Sequence, residues 1–353
     1  MNTKMNFDMY VPTHTLFGAG MLNHLHSQKM PGKKALLIIS NGKSTKINGY
    51  LKRTEEQLQK AGVEFTIFDQ IEANPLKSTV MAGGNAARTN GCDFIVALGG
   101  GSVMDASKAI AVMATNDGDY WDYIPSGSGK GKIITNVPLP IIAITTTAGT
   151  GSETDPGCVI TNETTHEKTG FVHPALFPVL AIVDPELMLS VPPKFSAYQG
   201  FDALFHSIEA YVSNGANLMS DMYALTAIEN VSLNLPKTIK NGNDIEARTK
   251  VAFGNTLSGS VMCVGRCNSE HSLEHAMSAY HQELPHGAGL IMISKAYFTH
   301  LIKQHACDDR FIKMAKVMGM KNATEPMDSC SYKASGRLRR SRSQNVRLWY
   351  YPR

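Results

Sequence analysis

The 353-residue chain is short of charge, of paired cysteines and of long apolar runs, and each shortage removes a class of protein. Only 18% of its residues are charged against 43% hydrophobic, so disorder and low complexity are excluded and a packed core is required. Six cysteines, at 92, 158, 263, 267, 307 and 330, contain no C-x-x-C pair, which argues against a disulfide framework and leaves free thiols as the expectation. No apolar stretch approaches the ~18–20 residues of a membrane span. The opening MNTKMNFDMYVPTHTLFGAG lacks the charged-then-apolar profile of a secretion signal, so the expected address is cytoplasmic and no membrane partner is expected. Acidic residues are missing altogether from Ser329 to Arg353, a segment with seven basic ones. The net charge of +4 therefore belongs to the tail, the first 328 residues stand at −3, and no nucleic acid is expected as a partner of that body.

At about 100–200 residues per domain the length suits two domains. Ala35 to Ile39, Glu64 to Phe68, Phe94 to Leu98, Ile141 to Ile144 and Leu180 to Val183 are short apolar runs that read as buried strands. Amphipathic helices over Gly49 to Ala61 and Ser78 to Asn90 separate them, which predicts an open, mainly parallel α/β sheet. Beyond Asp184 the strand signals stop. Helical stretches follow at Ala197 to Ser213, Met219 to Leu233, Asp244 to Val264, Ser269 to Tyr280, Leu290 to Gln304 and Phe311 to Met318. The expected division is an α/β dinucleotide-binding domain over 1–186, an all-α metal and substrate domain over 187–328 and a basic tail over 329–353.

Two loops after strands have the composition of a nucleotide site. Gly99-Gly100-Gly101-Ser102 follows the third predicted strand and opens a helix, where free N–H groups and the helix dipole suit a phosphate and glycines allow close approach. Ser102 and Asp105 have the S-x-x-D spacing of a helix cap. The strict G-x-G-x-x-G pattern is absent, so an ordinary Rossmann site is not implied. Thr145-Thr146-Thr147-Ala148-Gly149-Thr150-Gly151-Ser152-Glu153 follows the next strand, and two such loops side by side are what a dinucleotide needs in an open sheet.

The helical half holds a different chemistry. Asp202 and His206 are one helical turn apart, His271 and His275 repeat the spacing, and His286 follows Leu284-Pro285. Four of the chain's 12 histidines thus fall in three short segments of otherwise apolar helices. One carboxylate with two or three imidazoles suits Fe²⁺, Zn²⁺ or another borderline divalent ion.

GGGSVMDASK at Gly99, TTTAGTGSE at Thr145, VDPELMLSVPPKFSAYQGFDALFHSIEAY from Val183 and HSLEHAMSAYHQELPHG from His271 together resemble the iron-containing (group III) alcohol dehydrogenases, over about Asp8 to Asp328. Gln199 departs from the family's usual Thr and is not a ligand position. The resemblance implies Asp202, His206, His271 and His286 as metal ligands, with His275 outside the ligand set as the proton relay. It implies a metal between the domains on the substrate oxygen, a hydride passing to or from nicotinamide, and a homodimer or larger homo-oligomer. Coenzyme contacts are expected at Ser40, Gly42, Lys43, Asn74, Gly99, Gly100, Gly101, Ser102, Asp105, Thr145, Thr146 and Thr150. NAD-preferring members often carry an Asp at the end of the first strand, where this chain has Ile39-Ser40-Asn41-Gly42-Lys43-Ser44. NADP(H) is therefore expected over NAD(H), the 2′-phosphate meeting Ser40, Gly42 and Lys43.

The expected activity is hydride transfer between a nicotinamide and a small primary alcohol or aldehyde. Alternatives are a polyol or dehydroquinate-synthase-like enzyme on the same architecture, or an anion-binding protein acting through the basic tail. The tail itself reads as out of frame. With suitable synonymous codons, Asn345 to Tyr351 read one base later gives Met-Ser-Asp-Tyr-Gly-Ile, as in relatives' terminal helices, so the helical domain is expected to be cut short.

Overall fold

The computed structural model describes residues 3–326 and Ser329. Eight strands run in chain order as β1 (His14–Phe17), β2 (Lys34–Ser40), β3 (Glu64–Ile71), β4 (Phe94–Gly99), β5 (Ile141–Thr145), β6 (Gly157–Asn162), β7 (Glu167–Val172) and β8 (Leu180–Val183). Six of them form one all-parallel sheet in the order β1-β8-β5-β4-β2-β3. Its inner strands β8, β5, β4 and β2 are nearly continuous apolar runs because both faces are covered. Leu36, Ile38, Ile95, Ala97, Ile141 and Ala143 face one side, packed by α3 (Lys77–Thr89) and α4 (Gly101–Thr115). The alternate residues Leu37, Ile39, Val96, Leu98, Ile142 and Ile144 face the other, under α2 (Tyr50–Lys60) and a 3₁₀ turn at Met21–Ser27. Leu37 is fully buried beside Val96 in the β2–β4 register. Truncating such a side chain to Ala costs about 2–5 kcal/mol.

The helical half comprises α5 (Pro193–Tyr211), α6 (Leu218–Lys240), α7 (Ile245–Val264), α8 (Ser269–Tyr280), α9 (His286–Lys303) and α10 (Asp308–Val317); the short α1 (Ser44–Ile47) belongs to the sheet half. Pro193 opens α5, where its missing N–H costs nothing. Phe201, Leu204, Phe205 and Ile208 of α5 pack on Ile228, Val231 and Leu235 of α6 and Val251 of α7. Glycines let these helices meet closely. A Cβ at Gly200 would stand 2.3 Å from Leu235 and one at Gly254 2.5 Å from Val231.

The five predicted strands correspond to β2, β3, β4, β5 and β8. Three strands were not foreseen: the four-residue edge strand β1, which exists by pairing with β8, and the two of the antiparallel hairpin β6–β7, whose residues lack apolar alternation. The helix predicted to end at Leu233 continues through Pro236 to Lys240, because Leu235 and Thr238 are buried and the Thr238 hydroxyl bonds the Leu235 carbonyl. The five described cysteines are free thiols. The expectation for the 329–353 tail falls, save for Ser329, outside the described residues. Among the described residues no helix is long and apolar enough to cross a membrane.

Candidate metal and coenzyme site

Helix α5 presents Asp202, His206 and Glu209 at i, i+4 and i+7, so a carboxylate, an imidazole and a second carboxylate share one face. Helix α8 brings His271, Glu274 and His275, and His286 is the first residue of α9. Three imidazoles converge on Asp202 Oδ1: His206 Nδ1 at 3.1 Å, His271 Nε2 at 3.5 Å and His286 Nε2 at 3.6 Å. Asp202 Oδ1 and His271 Nε2 are buried and make no hydrogen bond among the described residues. Ligands about 2.1 Å from one tetrahedral ion stand about 3.4 Å apart, so the spacing of these orphaned donors fits a single divalent ion. Donor atoms of Asp202, His271 and His286 all lie within 4.8 Å of one another, and His206 joins through a second group with His271 and Cys267.

Two of the three imidazoles have a carboxylate of their own on the outer nitrogen, while His206 Nδ1 faces the Asp202 carbonyl at 3.0 Å. His271 Nδ1–H donates to Glu209 Oε1, and His286 Nδ1–H donates to Glu274 Oε2. These bonds fix the tautomers that leave both Nε2 atoms facing Asp202. Glu209 also accepts from the first amides of α8, Glu270 and His271, so one buried side chain caps that helix and orients its metal-ligand candidate. Burial alone would raise the Asp202 carboxyl, but the adjoining His206 and His286 hold it well below its ordinary value. His275 is pushed well below the ordinary imidazole value, first by burial and then by the neighbouring His286 and Lys168. Its ring centroid lies 5.4 Å from that of His286 and 6.4 Å from that of His271.

A cavity of about 530 Å³ runs between the two halves of the molecule and joins these groups to the sheet. His206, His271, His275 and His286 of the helical half line it together with Asn74, Gly101, Ser102, Asp105 and Thr150 of the sheet half. Ser40, Gly99 and Thr145 end the adjacent strands β2, β4 and β5, with Gly42, Lys43, Gly100 and Thr146 just beyond. The expected coenzyme residues therefore share the carboxyl edge of the sheet, where open α/β sheets bind ligands.

One expectation needs correction, and several residues of the set have contacts within the protein. Ser102 and Asp105 do not cap α4: its N-cap is Gly100, with no side-chain cap bond. Asp105 instead accepts from the Ser152 hydroxyl at 2.7 Å and from the Val159 amide of β6 at 2.9 Å, tying the helix to the hairpin. The glycine run is required by its neighbours, none of the three having positive φ: a Cβ on Gly100 would lie 2.9 Å from Thr147 and one on Gly101 2.4 Å from Thr150. Thr145 and Thr146 hold the second loop in place, the Thr145 hydroxyl on the Thr147 carbonyl and the Thr146 amide on Gly99. Asn74 is spent on protein groups, donating to the carbonyls of Gln282 and Leu284 and accepting from Lys168.

Sequence reasoning passed over five further residues. Glu209 and Glu274 each stand three residues beyond a histidine of the set, a carboxylate in an otherwise apolar face, and that spacing was the available signal. Lys108 is buried on Ser152, Asp155 and the Gly157 carbonyl. Lys168 is buried on Asn74 and Ser278, and Glu153 crosses to Asn255 and Thr256 of α7; nothing local in the sequence marks either.

A parallel nucleotide-type sheet, a helical half carrying one carboxylate and three convergent imidazoles, and a cleft joining them define a metal-dependent dehydrogenase architecture. Family models agree over both halves, the model described as iron-containing alcohol dehydrogenase over residues 12–185 and that of the Fe-containing alcohol dehydrogenase family, C-terminal, over 196–343. The chain belongs to this family and is an oxidoreductase of the alcohol dehydrogenase type. It is 34% identical over 316 residues to a 1,3-propanediol dehydrogenase of Klebsiella pneumoniae, covering 89% of this chain and 79% of that protein. It is 31% identical over 322 residues to an NAD-dependent methanol dehydrogenase of Bacillus methanolicus, covering 88% and 80%. Among solved structures, an archaeal halo-thermophilic Red Sea brine pool alcohol dehydrogenase superimposes with a TM-score of 0.87 at 32% identity, covering 93% of this chain and 85% of that one.

Proposed function

We propose that this alcohol dehydrogenase interconverts a small primary alcohol and its aldehyde, with Asp202, His206, His271 and His286 holding one divalent ion and His275 handling the proton. The observation that carries the reading is the convergence of three imidazoles on the orphaned Asp202 Oδ1 at the end of the cleft that the glycine turn also enters. The ion, Fe²⁺ or Zn²⁺, supplies Lewis acidity toward the substrate oxygen, and a nicotinamide coenzyme supplies or takes the hydride.

The chain's own residues do the rest. Glu209 and Glu274 hold His271 and His286 in the tautomer that presents Nε2 to the site. His275, neutral in its buried setting, takes the hydroxyl proton of an alcohol bound beside it and returns it in the reverse direction. Val159, Phe171, Phe177 and Met262 give the cleft apolar walls that limit water at the transfer. Those walls favour a simple aldehyde over a polyol, which would need more hydrogen-bonding partners.

The curated relative acting on methanol is described as NAD-dependent, which lends no support to the expected preference for NADP(H). We infer that NAD(H) is used and that the carboxylate-free Ser40–Ser44 segment tolerates the 2′-phosphate as well. The test follows reduced-nicotinamide absorbance with butanal or lactaldehyde and each coenzyme, on metal-stripped and Fe²⁺- or Zn²⁺-reloaded protein. Activity that survives complete metal removal sinks the reading.

A further inference from the structure

The α/β half reaches across the cleft to one metal-ligand candidate by two routes. Asn74 follows β3 and adopts φ +55°, a left-handed conformation that Asn tolerates better than most residues and that persists only where surroundings enforce it. Its amide donates to Gln282 O at 2.8 Å and Leu284 O at 3.3 Å, in the loop that delivers His286, and Gln282 Nε2 returns a bond to Asn74 O at 3.4 Å. The second route starts at Lys168 of β7. Its Nζ donates to Asn74 Oδ1 at 3.0 Å and Ser278 Oγ at 2.8 Å, and lies 3.6 Å from Glu274 Oε2. That same carboxylate oxygen accepts from His286 Nδ1. Asn74, Lys168 and Glu274 are all buried, so none of these bonds is a solvated surface contact.

We propose that Asn74 and Lys168 are positioning residues for His286, a latch by which the α/β half sets the approach and orientation of this imidazole. The latch rests on the reading of His286 as a ligand. Mutating partners of ligating histidines typically costs about 10–100-fold in metal affinity or activity, which sets the scale.

The test loads wild type, Asn74→Gly, Lys168→Met, Lys168→Arg and His286→Ala with Co²⁺. Release to a chelator, the visible spectrum of the loaded protein and the melting of the metal-free protein are then recorded. Asn74→Gly keeps the backbone conformation and removes only the amide, so release should quicken about tenfold. Lys168→Met removes a cation beside the site, which by charge alone would slow release. Faster release, an altered Co²⁺ spectrum and recovery in Lys168→Arg therefore mark positioning. Release within about twofold of wild type in Asn74→Gly and Lys168→Met, while His286→Ala loses the ion, overturns the latch and leaves the metal site standing. Lowered melting of the metal-free protein with an unchanged spectrum reduces both residues to scaffold and equally overturns it. Should His286→Ala hold the ion like wild type, the ligand reading falls and the latch with it.

Discussion

Glu153→Gln should make the protein more stable, and by an amount that depends on pH. Glu153 closes the second nucleotide-type loop, is 1% exposed, and accepts from Asn255 Nδ2 at 2.9 Å and Thr256 Oγ1 at 3.1 Å across the boundary between the sheet and α7. Burial pushes its carboxyl up from 4.5 to about 7, against the opposing hydrogen bonds from its own amide and Thr256. The folded protein therefore keeps this proton up to about pH 7, whereas the unfolded chain releases it near 4.5. For a raised acid the contribution to stability is complete below the unfolded value and is lost as pH climbs to the folded one. At about 1.36 kcal/mol per unit, the loss reaches about 3 kcal/mol at neutral pH and stays there above it.

Gln keeps the Oε1 acceptor for Asn255 and Thr256 and has no proton to lose. Melting of wild type and variant, followed by circular dichroism at a series of pH values, should coincide near the unfolded carboxyl value and separate as neutrality is approached. The separation should then stop growing. A difference independent of pH, or a variant less stable at neutral pH, refutes the account of Glu153 as a carboxyl folded with its proton on.

Three further outcomes are expected at the site. His271→Ala should lose the ion and most turnover; full metal occupancy by elemental analysis in that variant would remove His271 from the ligand set. His275→Gln should keep the ion, lower the rate and change its pH dependence, because a neutral imidazole in the proton path is replaced by a group that does not titrate, and metal loss would instead make His275 a ligand. Ser40→Asp should lower kcat/KM with NADPH by at least about tenfold through repulsion of the 2′-phosphate while sparing NADH; equal effects on both coenzymes would place the 2′ position elsewhere.

The sheet was legible because a parallel sheet buried on both faces writes itself as continuous apolar runs, and β2, β4, β5 and β8 are such runs. β1 and the β6–β7 hairpin were not, since their stability lies in partners distant in sequence. The metal-ligand candidates were legible for a related reason: Asp202 with His206, and His271 with His275, are pairs at helical spacing. What could not be read was the second layer. Asn74 and Lys168 meet His286 and Glu274 only through the packing of β7 and the 74-turn against α8, more than 100 residues along the chain. The glycine turn was legible, but the crowding of Gly100 and Gly101 was not, because the Thr147 and Thr150 side chains that crowd them belong to the neighbouring loop.

The same second layer would suit this cluster, read as a metal site, to one ion rather than two. Three overlapping sets of donors exist among the described residues: Asp202, His271 and His286; His206, Cys267 and His271; and Glu274, His275 and His286. On ligand type alone the last set could hold a second cation next to the first. Its corner is already filled by a positive charge, Lys168 Nζ at 3.6 Å from Glu274 Oε2. The charges close on the same conclusion. Asp202, Glu209 and Glu274 bring three carboxylates into buried space, while burial pushes Glu270 up to about 9, beyond the reach of neutral pH, so it enters uncharged. One divalent ion and the Lys168 ammonium would balance those three carboxylates, the ion displacing the proton that, against burial, Cys267 and Glu209 favour on His271. A second divalent ion would leave two uncompensated positive charges away from water, and buried charge without a partner is costly enough to forbid it.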